Sequence, residues 1–140
     1  MGQVHLENPG FSLEYPNGWG YFEQISGVRF EARRGDSTVA AFDISVFPAQ
    51  SLEAWVKSRK SSETLPDGSS RVEKVRNARV AGLPSQQIVL FAFDRYVLEE
   101  AVVVGQHLYV LSFDEDNPND PQFKTHAAMY ARMRSSLRFR

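Results

Sequence analysis

Between residues 86 and 114 three apolar-rich runs follow one another with almost nothing between them, at 86–93, 95–104 and 107–114. The first break is Asp94 alone and the second is the dipeptide Gly105-Gln106. Parallel strands need a crossover of a dozen or more residues, which fits into neither break. The runs therefore pair antiparallel through tight turns, and Gly105 leads the second turn, where a two-residue hairpin loop needs positive φ.

The same signature recurs upstream. Phe11, Leu13 and Tyr15 alternate with Ser12 and Glu14, and Tyr15-Pro16-Asn17-Gly18 has turn chemistry, with Pro second, Asn third and Gly fourth. Trp19 to Glu23 restart a short strand. Val28, Phe30 and Ala32 then alternate with Arg29, Glu31 and Arg33, and after Arg34-Gly35-Asp36-Ser37 the residues Ala40, Phe42, Ile44 and Val46 share one face. That pair reads as an antiparallel hairpin. Residues 71–80 read as a polar edge strand in which Lys74 and Arg76 discourage unwanted pairing, and Gly82-Leu83-Pro84 as a turn.

Two stretches change to helical spacing. Ser51 is an N-cap ahead of Leu52, Trp55, Val56 and Arg59 on one side, and residues 63–70 form a loop. Asp120 is a second N-cap with Pro121 at the first helical position, followed by Phe123, Ala127, Tyr130 and Met133 or Arg134. Leu137 and Phe139 suggest a short closing strand. The fold class is α+β: one domain, residues 1–140, with a mainly antiparallel sheet of about six to eight strands packed with two main helices.

Composition removes several functions. Sixteen basic residues stand against 17 acidic ones, a formal charge of −1, without the basic excess that grips nucleic acid. The chain has no cysteine, which excludes disulfides, thiolate nucleophiles, iron–sulfur clusters and cysteine-based zinc sites. No run of about 18 apolar residues offers a membrane-spanning helix, and the opening residues lack the basic-then-apolar pattern of a signal peptide.

The alternation ending in YPNGW, the helix opened by SLEAW, the VAGLPS turn, and GQHLYVLSF followed by F…MRSSLRF run in order from Gly10 to Phe139. In that order they resemble the landmarks of PsbP-like domains, a group that takes in DcrB-like bacterial proteins and the Ran-binding Mog proteins. The resemblance implies an antiparallel sheet between helices. It also implies diverse and mostly non-enzymatic roles: photosystem assembly or stabilising subunits, a small-GTPase-binding protein, bacterial lipoproteins, and chaperones of secreted effectors. No catalytic motif belongs to the group, so the resemblance assigns no catalytic, cofactor-binding or metal-ligating residue. A fold analogy does not by itself license a function.

Each candidate for chemistry has a plainer structural account. The aromatics of GFSLEYPNGWGYFE follow a core-facing alternation rather than facing one point as a cation cage would. His5, His107 and His126 are not spaced as metal ligands and are expected in ordinary surface or boundary positions; a long-range pair, for example His107 with His126, is left to test. Glu99 and Glu100 are adjacent in a strand, point to opposite faces and cannot share a substrate, so ion pairs with arginines are expected. DEDNPND, residues 114–120, lacks the Gly at the sixth position and the Glu at the twelfth of a calcium loop. No GxSxG and no phosphate-cradling glycine loop occurs.

What remains is apolar excess. In 86–93 Ile88, Leu90 and Ala92 alternate with Val89, Phe91 and Phe93, so both faces of the strand are apolar. Two helices cover two whole sheet faces with difficulty, and a partly covered apolar face marks a contact surface. Val89, Phe91 and Phe93 are the candidate partner-binding residues, because aromatics dominate binding energy. The expected function is a non-enzymatic interaction, assembly or chaperone-type domain that binds a protein partner or a second copy of itself. The alternative is a carrier or sensor with a small apolar ligand between helix and sheet, in a cavity lined by residues such as Phe42, Leu90 and Tyr130.

Overall fold

The computed structural model describes residues 2–7 and 10–139, with residues 3–7 described through their backbone alone. Its elements run β1 (Gly2–Glu7), β2 (Gly10–Tyr15), β3 (Gly20–Gln24), β4 (Gly27–Arg34), β5 (Ser37–Pro48), α1 (Leu52–Glu63), β6 (Ser70–Val80), β7 (Leu83–Ala92), β8 (Arg95–Val104), β9 (His107–Glu115), α2 (Phe123–Ser136) and β10 (Arg138–Phe139). Seven strands form the main sheet in the order β3-β4-β5-β9-β8-β7-β6, all neighbours antiparallel. It consists of two meanders, β3–β5 and β6–β9, joined along β5 and β9. The α+β class and the antiparallel sheet expected from the sequence are both present.

A second sheet, β1-β2-β10, lies outside the main one. Strand β1 had no counterpart in the sequence reading, and the closing strand at Arg138–Phe139 pairs with Ser12 and Phe11 of β2 rather than with the main sheet. Phe11 and Leu13 share one core with Val28, Phe30, Phe42, Phe113, Tyr130 and Met133, so this small sheet and α2 cover the same side. The opposite side holds a smaller core in which Trp55 of α1 meets Ile88, Leu90, Val97, Ala101 and Leu108. Helix α1 packs on β6, β7 and β8. Of the aromatics of the opening segment Phe11 is core and Tyr15, Trp19 and Tyr21 pack against it half-buried, whereas Phe22 is exposed; Tyr15 lies 6.0 and 4.9 Å from Tyr21 and Phe30 between ring centroids.

Local chemistry explains the boundaries. Ser51 Oγ accepts the Ala54 N–H at 3.0 Å and caps α1 as expected. At Gly27 an added Cβ would fall 1.8 Å from the carbonyl oxygen of Ile44, so only glycine lets β4 begin against β5.

Four local expectations are corrected. The first turn is shifted by one residue: Trp19 N–H bonds to Pro16 O, which places Gly18 at φ +90° in the position that demands glycine. The β6–β7 hairpin turn is Ala81-Gly82, both at positive φ, and Leu83 and Pro84 already belong to β7. Helix α2 begins at Phe123 because Phe123 N–H bonds back three residues to Asp120 O, a tight turn that precedes the α-helix. Asp120 still accepts the Gln122 N–H through its carboxylate at 2.8 Å. Phe93 lies in the turn between β7 and β8 rather than in a strand.

Candidate functional site

Helix α2 packs on β9 and β2, and on its side of the main sheet β7 and β6 lie beyond that contact. Val89 and Phe91 are half-buried there, whereas Ile88 and Leu90, which alternate with them, are buried under α1. Phe91 meets the Tyr96 ring edge-on at 5.9 Å, and the Arg71 guanidinium sits 5.4 Å from its centroid, a cation–π contact. Exposed Lys74 is the register partner of Val89, and Arg76 bonds Gln87 Oε1 at 2.6 Å. A half-covered apolar row therefore runs beside a row of cations.

Phe93 stands apart from that row. It and Asp94 form the β7–β8 turn at φ +52° and +68°, and Phe93 is 68% exposed. Two-residue hairpin turns of this handedness favour Asn and Gly, because a Cβ is crowded there. The Phe93 N–H is tied to Ser69 O at 2.7 Å, which fixes the turn against the loop before β6.

The α1 side carries a second feature. Arg29, Asp43, Ser112 and Glu99 are successive register partners on β4, β5, β9 and β8. Asp43, Ser112 and Glu99 floor an open groove of about 300 Å³ walled by Trp55 and Arg59 of α1 and ended by Phe47. Arg29 bonds Asp43 at 2.8 Å, and Arg59 holds Glu99 through two bonds of 2.7 and 2.9 Å. Burial raises the pKa of Asp43 and of Glu99, and their arginines only partly oppose it. Burial likewise raises Asp114, opposed by Arg95. For Arg59 the balance is reversed: burial pulls its pKa down, but the bonds to Glu99 and Glu63 bring it above its ordinary value. The pair is lopsided, keeping the cation charged while the carboxylate loses more to burial than Arg59 returns. Asp43 and Glu99 are thus each tied to an arginine.

The deepest ionisable groups are on the α2 side. Glu100 is fully buried, held by the Arg134 guanidinium and the Ser85 hydroxyl. Glu115 meets His126 Nδ1 at 2.6 Å, with the Trp19 ring edge-on to His126 at 6.1 Å. Among the described residues Glu115 Oε1 and Tyr130 Oη are buried without a hydrogen-bond partner. Burial first, then the Glu100 charge, pushes the Tyr130 phenol well up. These contacts pin two strands to one helix.

Glu99 and Glu100 thus point to opposite faces, each to its own arginine, as strand geometry requires. His126 departs from the surface or boundary position expected of it. It lies three residues after Phe123 and four before Tyr130 on the buried face of α2, a spacing that marks it in the sequence. His107, at the start of β9, does not meet His126, whose partner Glu115 ends that strand; the His5 side chain lies outside the described residues. In the 114–120 segment Asp114 and Asp116 both pair with Arg95 and Asp120 pairs with Arg34. Among the described residues no group of three or more His, Asp or Glu could hold a metal ion, and no helix is long and apolar enough to cross a membrane. Phe42 and Tyr130 pack together on the α2 side and Leu90 lies on the other, so these three line no common cavity.

No family model and no curated protein matches the chain. Solved structures do. The solution structure of cyanobacterial PsbP (CyanoP) from Synechocystis sp. PCC 6803 superposes with a TM-score of 0.69 at 12% identity, covering 99% of this chain and 92% of that one. The crystal structure of LpqN, involved in cell envelope biogenesis of Mycobacterium tuberculosis, gives 0.64 at 15% identity, covering 97% and 88%. The fold is PsbP-like.

Proposed function

We propose that this PsbP-like domain is a non-enzymatic protein-interaction module of the assembly or chaperone type, and that Val89, Phe91 and Phe93 form its partner-binding surface. The observation that carries the reading is Phe93. A bulky aromatic in left-handed backbone costs about 1–2 kcal/mol relative to ordinary conformations, and its side chain recovers little by burial at 68% exposure. Strain kept at an exposed aromatic points to a use outside the fold. Phe91 and Val89, half-buried, lie on the strand that leads into this turn, with Arg71 over the Phe91 ring. The pairing of the groove carboxylates with arginines supports a binding role over acid–base catalysis.

Native mass spectrometry of the purified protein reports its oligomeric state and any co-purified partner in one measurement. Phe93→Ser should reduce self-association or partner capture while leaving the circular dichroism spectrum and Tm essentially unchanged. Phe91→Ser should do the same at a modest stability cost. Full association by both variants, each correctly folded, would sink the assignment.

A further inference from the structure

Val89 and Phe91 lie on β7 and Phe93 in the turn after it; the strand outside β7 defines what kind of segment the partner presents. Strand β6 is one of the two edge strands of the main sheet, β3 being the other. At its ends Ser70 O accepts the Leu65 N–H and Arg79 O accepts from Arg134. Among the described residues, no other hydrogen bond engages the outer backbone edge between them. An open edge of this length is a template for one more strand.

Its side chains select which strand. Arg71, Lys74, Arg76 and Arg79 stand against a single carboxylate, Glu73, which is already spent on Arg71. Antiparallel addition of a second β6 would set cations beside cations, and the irregularity between Val72 and Lys74 disturbs its register further. The edge therefore resists its own copy. The two faces of β6 also differ. Arg71, Lys74 and Arg76 lie on the α2 side, beside Phe91, Val89 and Gln87, whereas Val72 and Val75 lie on the α1 side, packed into the core around Trp55.

We propose that β6 receives an extended segment of a partner protein in which acidic and apolar residues alternate. Acidic side chains then sit beside Lys74 and Arg76 on the α2 side, and apolar ones extend the Val72–Val75 row beneath α1. The backbone edge supplies the affinity and the two side-chain rows supply the selection. Nucleic acid or anionic lipid satisfies the cations but neither the backbone edge nor the valine row. The proposal rests on the interaction reading only in taking the partner to be a protein.

The test uses the full chain and a synthetic peptide of about nine residues alternating glutamate with valine. Controls are the lysine–valine counterpart and a version N-methylated on alternate residues along one edge. The glutamate–valine peptide is expected to bind and to slow amide exchange along β6. Lys74→Glu with Arg76→Glu should weaken it about tenfold, from two cross-strand pairs turned repulsive, with Lys74→Glu alone part-way. The N-methylated peptide should fail to bind. Equal binding of both charge types, undiminished binding of the N-methylated peptide, or protection outside β6 would each overturn the proposal. So would single-stranded DNA or phosphatidylserine vesicles perturbing β6 when the peptide does not. Phe93→Ser should leave short-peptide binding intact, so loss of the β7 surface and loss of the β6 edge give different results.

Discussion

On the α2 side of the sheet Phe42, Phe113 and Tyr130 form one aromatic cluster, with Tyr130 5.2 and 5.1 Å from the other two rings. On the α1 side the same strands present Asp43, Ser112 and Asp114 to an open groove or its margin. The difference follows from coverage. A helix with its side chains is about 10–12 Å across and strands are about 4.8 Å apart, so one helix shelters two or three strands. Helix α1 works alone and shelters β6 to β8; α2 is joined by the β1-β2-β10 sheet, and together they enclose a wider area. Where no layer arrives, the strand residues must be polar and must neutralise one another.

The comparison breaks first at Trp55. As the one buried residue of α1, it should cost about 3–5 kcal/mol when replaced by alanine, measured by denaturant titration. Unchanged stability would mean that the α1 layer contributes little. Glu100→Gln comes next: it leaves the Arg134 cation without its counter-charge at a buried site, and a loss of about 2–3 kcal/mol is expected.

Glu99→Gln should behave differently, shifting stability by no more than about 1 kcal/mol at neutral pH. Because burial raises Glu99, the folded state holds this proton more tightly than the unfolded chain. The stability linked to that proton is complete below the ordinary carboxylate range and is lost as pH rises through the raised value. Glutamine keeps the neutral form at every pH, so the variant should gain on the wild type as pH rises from 3 toward 7. A gap that widens in the opposite direction would show that Arg59 outweighs burial.

The smallest effect belongs to the β7–β8 turn. Phe93→Asn, with a residue that tolerates left-handed backbone, should stabilise the fold by about 0.5–1 kcal/mol while impairing association. A loss of stability would show that the Phe93 ring is anchored by its own chain.

The strands of the main sheet were legible because each buries one face and alternation records it; Val28 to Arg33 is the clearest case. Strand β1 was not, since Val4 and Leu6 alone carry its pattern and it joins a sheet apart from the rest. A turn at Asp94 is legible, but that Phe93 belongs to it is not: an aromatic is outside the usual vocabulary of such turns, so the apolar run reads on through it. Strand parity separated Glu99 from Glu100 and foresaw arginine partners, but which arginines depends on how α1 and α2 dock, and pairs distant in sequence leave no local mark. Val89 and Phe91 were identifiable as an apolar face, while the open backbone edge of β6 beside them is a property of topology that no side chain encodes.

The seam between β5 and β9 has a consequence for how the molecule assembles in time. Every other pairing in the main sheet joins consecutive strands across a short turn, but this one brings Ala40 to Glu115 and Pro48 to His107. Each meander can zip from its own turns, in the microsecond range typical of hairpins. Joining them requires closing a loop that contains α1 and three further strands, and topologies dominated by such distant pairings fold in milliseconds to seconds. The seam is therefore the expected kinetic bottleneck, and substitutions at Ile44 or Leu111, paired across it, should slow folding more than equally destabilising changes within either meander.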